Sequence, residues 1–225
     1  LCFVTMTDYG KDVTSIVAYE PQSIEATLAS AVCAADMNQA HIAETEKYPH
    51  ATYFLNGGKE DTHAKEEHVL IPSNKHVKTH DEAPEMKAKE ICDAAIERLA
   101  TNDFIFVNFA NPDMVGHTAK KEAIITAVET VDRELGRLAE ATLKANGAVI
   151  AIADHGNAER MIDPETGAPH TAHTTNLVPC ILIADSHAHV SLAQGGGLKD
   201  IAPTVLDLLG IEKPASMTGA SLITE

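Results

Sequence analysis

A chain of 225 residues with 17 Lys and Arg against 33 Asp and Glu carries a formal charge of −16. So acidic a surface excludes a general nucleic-acid binder, whose affinity rests on counterion release by basic side chains. Apolar residues at 44% and charged residues at 22% are globular proportions that allow a sizeable core, and no apolar run nears the roughly 18 residues of a membrane span. The opening LCFVTMTDYGKDV has no signal-peptide pattern, so a cytoplasmic protein is expected. Because it starts at Leu1 inside an apolar run, the chain reads as a piece of a longer polypeptide. Cys2, Cys33, Cys92 and Cys180 make no CxxC pair and are expected as small core hydrophobes in a reducing compartment.

Strand-like and helix-like segments alternate along the chain. Residues 2–6 read as a strand, and 24–36 as a helix with Ser23 as N-cap and Glu25 in its first turn. Residues 39–45 form a short strand, and the charged stretch 60–78 an exposed loop leading to another. Residues 84–102 read as a helix with Pro84 in the first turn and Ile91, Ala95, Ile96 and Leu99 on one face. FIFVNFA, 104–110, suits a strand buried on both faces. A long helix at 121–145 has Ile124, Val128, Val131, Leu135 and Leu138 at spacings of 3 and 4, and Asn146-Gly147 ends it, with Gly147 in the left-handed conformation. AVIAIAD, 148–154, and VPCILIAD, 178–185, are two more buried strands, and 201–209 a last helix closed by Gly210. Gly57-Gly58 and residues 195–197 read as loop tips. Strands joined through helices imply parallel crossovers, hence an α/β sheet covered on both faces, with ligands bound beyond the carboxyl ends of its strands.

Three such strand ends carry ligand-type side chains. Asp113 and His117 are four apart after the first, a spacing that lets both reach one ion. Asp154 and His155 follow the second, with Gly156 expected to turn the backbone sharply enough for adjacent side chains to converge. His170 and His173 precede the third. A lone DxxxH is common, and an Asp-His after a strand more often makes a turn or cap. Their coincidence gives a nitrogen and oxygen set suited to one or two Mn²⁺ or Zn²⁺ ions, a pattern that favours phosphate chemistry.

The stretches NFANPDMVGHT (108–118), ADHGNAE (153–159), TAHTTNLVP (171–179) and AETEKYPHATYFLNGG (43–58) closely resemble cofactor-independent phosphoglycerate mutases of the alkaline phosphatase superfamily. The likeness continues through DIAPTVLDLLGI and MTGASL, nearly the whole chain. It implies a three-layer α/β/α, mostly parallel sheet, incomplete here because N-terminal strands are absent. Residues 1–20 would be the tail of a transferase domain and its hinge, and 21–225 the C-terminal part of the metal-binding domain. It assigns Asp113, His117 and His173 to one metal, Asp154 and His155 to the other, and Lys47 to the phosphoryl group. Mn²⁺ is the implied metal, with two ions in the intact enzyme and Zn²⁺, Co²⁺ or Mg²⁺ as alternatives. His170 is left as a loop residue, while Asn111, Asn157 and Glu159 would orient the ligand loops.

The family reaction interconverts 3- and 2-phosphoglycerate through a serine that takes up the phosphate and returns it to the reoriented glycerate. That serine belongs to an Asn-Ser-Glu-Val-Gly-His stretch, and none of Ser15, Ser23, Ser30, Ser73, Ser186, Ser191, Ser216 or Ser221 lies in such a context. Arg98, Arg133, Arg137 and Arg160 are the only arginines, none in the family's substrate-gripping motif. The isolated chain is therefore expected to be inactive, and the intact enzyme a cytoplasmic monomer whose partners are small phosphoglycerates, with neither nucleic acid nor membrane. Another phosphomutase or phosphodiesterase of the superfamily, or a non-catalytic metal-binding fragment, are the alternatives.

Overall fold

The structure, a computed structural model, describes residues 2–10, 12–20, 24–187 and 189–224. Two short strands, β1 (Val4–Thr5) and β2 (Ile16–Val17), pair in parallel. Then follow α1 (Leu28–Ala34), β3 (Gln39–Glu44), β4 (Glu66–Ile71), α2 (Ala88–Arg98) and β5 (Phe104–Val107). The rest of the chain forms α3 (Asn111–Gly116), α4 (Lys121–Lys144), β6 (Val149–Ile152), β7 (Cys180–Ile183), β8 (Ser191–Leu192), α5 (Leu198–Leu208) and β9 (Ile223–Thr224).

The main sheet is parallel in the order β4-β3-β5, and all six residues of the central strand β3 are buried. Alternation along β3 assigns its two faces. Ile42 packs with Val69, Ile71, Ile105 and Val107 against Ile91, Cys92 and Ala95 of α2 and Leu138 of α4. On the other face Phe104 joins Leu28, Ala31 and Val32 of α1 and Leu206 of α5. Helices thus cover both faces, the expected α/β/α layering. Between α2 and α4 the buried Glu134 carboxylate receives Arg133 and Arg137, and Arg137 also reaches Asp93 at 2.6 Å.

Several boundaries differ from expectation for local reasons. The proposed cap Ser23 lies outside the described residues. α1 begins at Leu28 because Thr27 Oγ1 accepts the Ser30 N–H at 3.1 Å while Ser30 Oγ accepts the Thr27 N–H at 2.8 Å, a reciprocal cap. α2 starts at Ala88 and not at Pro84, since Met86 at φ 44° interrupts helical backbone. α4 closes through Asn146, whose φ of 58° takes the left-handed position expected of Gly147. α5 starts three residues early because Asp200 Oδ2 accepts the Gly197 N–H at 2.9 Å, and Gly210 closes it at φ 67° as expected. Of the cysteines Cys92 is buried, but Cys2 is exposed and Cys33 and Cys180 only half-buried, so the core reading holds for one of four.

β6 and β7 pair antiparallel, because residues 153–179 return as a loop without a crossover helix. β5 is half-buried throughout instead of fully enclosed. Among the described residues its outer edge has no strand neighbour, and neither has that of β6. Between them lies a cavity of about 1920 Å³, walled by Phe104, Phe106, Ile150, Val128 of α4 and Val205 of α5, that runs up to Asp113, Asp154 and His155.

Candidate metal centre

The carboxyl ends of β5 and β6 lead directly into the predicted residues. After β5 the chain enters α3, where Pro112 stands at the first helical positions, Asp113 falls in the first turn and His117 caps the end. The four-residue spacing sets both side chains on one face. His173 arrives from the loop before β7, held by an antiparallel bridge between Gly156 and Thr174 whose Thr174 N–H donates to the Gly156 carbonyl at 2.8 Å.

Three acceptor atoms then meet in a triangle. Asp113 Oδ1 lies 3.2 Å from His117 Nε2 and 3.1 Å from His173 Nε2, and the two imidazole nitrogens are 3.3 Å apart. Ligands about 2.0–2.1 Å from a tetrahedral ion stand about 3.3–3.4 Å from one another, so the triangle has the size of one coordination face. His117 Nδ1 lies 2.7 Å from the Thr171 carbonyl. A carbonyl can only accept, so the proton sits on Nδ1 and Nε2 offers its lone pair to the triangle.

Lys47, on the helical turn after β3, donates to Asp113 Oδ2 at 2.5 Å, and Asn157 Nδ2 donates to Asp113 Oδ1 at 2.8 Å. Burial would raise the Asp113 carboxyl, but these two hydrogen bonds, with the charges of Lys47 and His117, hold it down at about 2. The His155 ring stacks on His173 with centroids 3.6 Å apart, and its Nε2 lies 3.5 Å from Asp154 Oδ2. All six predicted site residues therefore gather at one end of the molecule. Asp113, His117 and His173 make a three-donor group, whereas Asp154 and His155 contribute a neighbouring pair that joins no third His, Cys, Asp or Glu among the described residues.

The supporting residues behave as orienting groups. Glu159 accepts from Thr174 Oγ1 and, at 2.8 Å, from Asn176 Nδ2, fastening the loop that carries His173. Asn111 Nδ2 donates to the carbonyls of Pro84 and Glu85. His170 sits in the loop as expected, its N–H donating to Met161. Arg98 is engaged with Glu67, and Arg133 and Arg137 with Glu134, none of them at this centre.

What the sequence missed is the reason for two glycines. Gly156 turns no left-handed corner; a Cβ there would collide with Thr174 Oγ1 and Glu159 Oε1, and at Gly116 it would come within 2.6 Å of Asn157 Oδ1. Both are sites of close approach. Gly156→Ala is expected to push the His173 loop away and weaken divalent-metal binding by about 10–100-fold, the usual cost of disturbing an outer-shell support. Calorimetry with Mn²⁺, with circular dichroism showing an unchanged fold, checks this.

Comparison with known proteins agrees with the geometry. The chain belongs to the Metalloenzyme superfamily, whose family model matches residues 12–213. Within that class it is 53% identical to the 2,3-bisphosphoglycerate-independent phosphoglycerate mutase of Herpetosiphon aurantiacus, over 99% of this chain and 42% of that protein. The enzyme of the same name from Moorella thermoacetica is 50% identical, over 99% of this chain and 43% of its own length. A phosphoglycerate mutase of Leishmania mexicana, crystallised at low cobalt concentration, superimposes with a TM-score of 0.85 at 31% identity, over 98% of this chain and 44% of that one. A 2-O GAG sulfatase shares the fold alone, with a TM-score of 0.55 at 16% identity, over 88% of this chain and 55% of its own. The chain thus spans less than half the length of the curated relatives it matches.

Proposed function

We propose that the chain is the metal-binding portion of a 2,3-bisphosphoglycerate-independent phosphoglycerate mutase, which interconverts 3- and 2-phosphoglycerate through a serine outside these 225 residues. The observation that carries this reading is the Asp113–His117–His173 triangle beside Lys47, in a chain about half identical to enzymes of that name. Asp113, His117 and His173 hold one divalent ion, and Asp154 and His155 supply part of the site for a second, with Mn²⁺ the preferred metal. Bound ions supply charge that stabilises a transferring phosphoryl group and acidifies an attacking hydroxyl.

The chain's own residues prepare that chemistry. Asn157 holds the Asp113 carboxylate in place, and Thr171 fixes the His117 tautomer. Lys47, an ammonium on a long stem, offsets phosphoryl charge at the same point. Residues 21–225 form the later part of the phosphatase-like domain and residues 1–20 the end of the transferase domain and hinge. In support of that hinge, Phe3, Met6, Tyr9, Ile16 and Tyr19 are exposed, an apolar surface suited to contact with further protein. The intact enzyme is read as a cytoplasmic monomer of glycolysis and gluconeogenesis. No helix among the described residues is long and apolar enough to cross a membrane.

The test of the ligand set is its pH dependence. Asp113 is depressed to about 2, so it stays ionised above about pH 4 and adds no slope there. Two imidazoles must be neutral to ligate, so Mn²⁺ affinity at the tight site is expected to fall as the pH drops, by up to about 100-fold per pH unit where the free chain would protonate both. Calorimetry between pH 7.5 and about pH 5 reads this, and a flat profile would mean that carboxylates alone bind the ion.

A further inference from the structure

A second convergence of ligand-type side chains lies on the α1 face of the main sheet, and the mutase reading makes no use of it. His41 of β3 and His68 of β4 are in-register partners on parallel strands, and Glu66, two residues before His68, shares their face. The two rings stack with centroids 5.4 Å apart, and one donor atom from each of the three residues lies within 4.8 Å of the others.

A chain of hydrogen bonds sets the protonation. Gln39 Nε2 donates to the Ala29 carbonyl at 2.9 Å, which turns Gln39 Oε1 toward His41 Nε2 at 3.1 Å. The amide oxygen accepts only, so the His41 proton belongs on Nε2. His41 Nδ1 is left with a bare lone pair inside a fully buried side chain, without a hydrogen-bond partner, and it faces Glu66 Oε1 at 3.4 Å. Two electron-rich atoms confronting one another in a buried site call for a cation between them.

Glu66 is held in place by hydrogen bonds from Asn56 Nδ2 at 2.7 Å, from the His63 N–H at 2.8 Å and from His68. The 3.4 Å between His41 Nδ1 and Glu66 Oε1 has the length of a tetrahedral edge with bonds of about 2.0–2.1 Å, whereas His68 Nε2 touches Glu66 Oε1 in a hydrogen bond and draws back when an ion enters.

We propose that His41 Nδ1, His68 Nε2 and Glu66 Oε1 bind one Zn²⁺-class ion that clips β3 to β4, a site separate from the Asp113 centre. His68 Nε2 now donates to Glu66, so ligation requires the other tautomer, with the proton moved to Nδ1 and the Nε2 lone pair turned to the ion. The ion enters on the His68 side, where that side chain is 13% exposed while those of His41 and Glu66 are closed. His63 Nε2 is also buried and without a hydrogen-bond partner, but it does not join the three donors.

The experiment uses the full 225-residue chain carrying Asp113→Ala and His117→Ala, stripped of metal and titrated with Zn²⁺. One equivalent is expected to remain bound after gel filtration, and Co²⁺ in its place should give the intense visible bands of a tetrahedral site. Adding His68→Asn should weaken binding by more than the roughly 100-fold that losing an outer-shell partner costs. Histidine ¹⁵N spectra of the chain without the His68 change read the same point independently of that variant's folding: His41 Nδ1 should shift on Zn²⁺ addition. No retained equivalent, binding unaffected by His68→Asn, or an unmoved His41 Nδ1 would each overturn the site and leave a hydrogen-bonded histidine cluster.

Discussion

Purified alone and supplied with Mn²⁺, the chain is expected to interconvert 3- and 2-phosphoglycerate at least about 10⁶-fold more slowly than a mutase that carries its nucleophile, the loss seen when a serine enzyme loses that group. The triangle of Asp113, His117 and His173 with Lys47 can bind a phosphate ester and neutralise it, but it offers no hydroxyl to receive the phosphoryl group. Holding a released glycerate for the return transfer is a further requirement, and such positioning reaches roughly 7–11 kcal/mol in favourable systems. Three of the four arginines are committed elsewhere, Arg98 to Glu67, Arg133 to Glu134 and Arg137 to Asp93. A coupled enolase assay decides the matter. Turnover at the rate of a complete mutase would mean that a nucleophile lies within these 225 residues; recovery only when an upstream serine segment and transferase domain are joined to the chain would support the proposed function.

The second large effect concerns His117. Replacing it by Ala removes one corner of the triangle and the donor to the Thr171 carbonyl, leaving Asp113 and His173 as a two-point site. Wild-type chain should bind Mn²⁺ at this centre distinctly more tightly than at the neighbouring pair, since Asp113, His117 and His173 offer three donors while Asp154 and His155 offer two. In His117→Ala the tight phase should disappear, a loss exceeding the roughly 100-fold ascribed to outer-shell changes. Calorimetry showing two equally tight sites in the wild type, or an unaltered tight phase in the variant, would contradict the ligand assignment. Repeating the titration in a His68→Asn background removes the other three-donor group, His41, Glu66 and His68, from the measurement.

Much of this was legible before any coordinates. Periodicity placed α4 to within a residue of its final bounds, although of the run Ile124, Val128, Val131, Leu135 and Leu138 only Ile124 and Leu138 are buried, the covered face continuing through Ala127, Thr130 and Glu134 while Val128 is exposed. The strand ends were also legible: an apolar run that stops at Asn-Pro-Asp or Asp-His-Gly must change direction there. Less legible were features set by contacts distant in sequence. Nothing local marks Met86 as left-handed, and only the approach of Thr174 and Glu159 explains Gly156. The pairing of His41 with His68 depends on a register between strands separated by a 21-residue connection (45–65), which single-strand patterns do not specify.

The trough between β5 and β6 bears on how this chain behaves in a tube. An uncovered parallel strand presents alternate N–H and C=O groups to whatever approaches, and here the lining beside it is Phe, Val and Ile. The surplus of sixteen negative charges opposes the approach of a second copy, a repulsion that reaches about 10 Å in 0.1 M salt and about 3 Å in 1 M. Raising the ionic strength removes the repulsion while leaving the sticky edge untouched, so the familiar habit of adding salt to keep a protein in solution works against this one. Dilute buffer at a pH well above the isoelectric point is its natural medium, and salting-out steps will drive it to stack on itself.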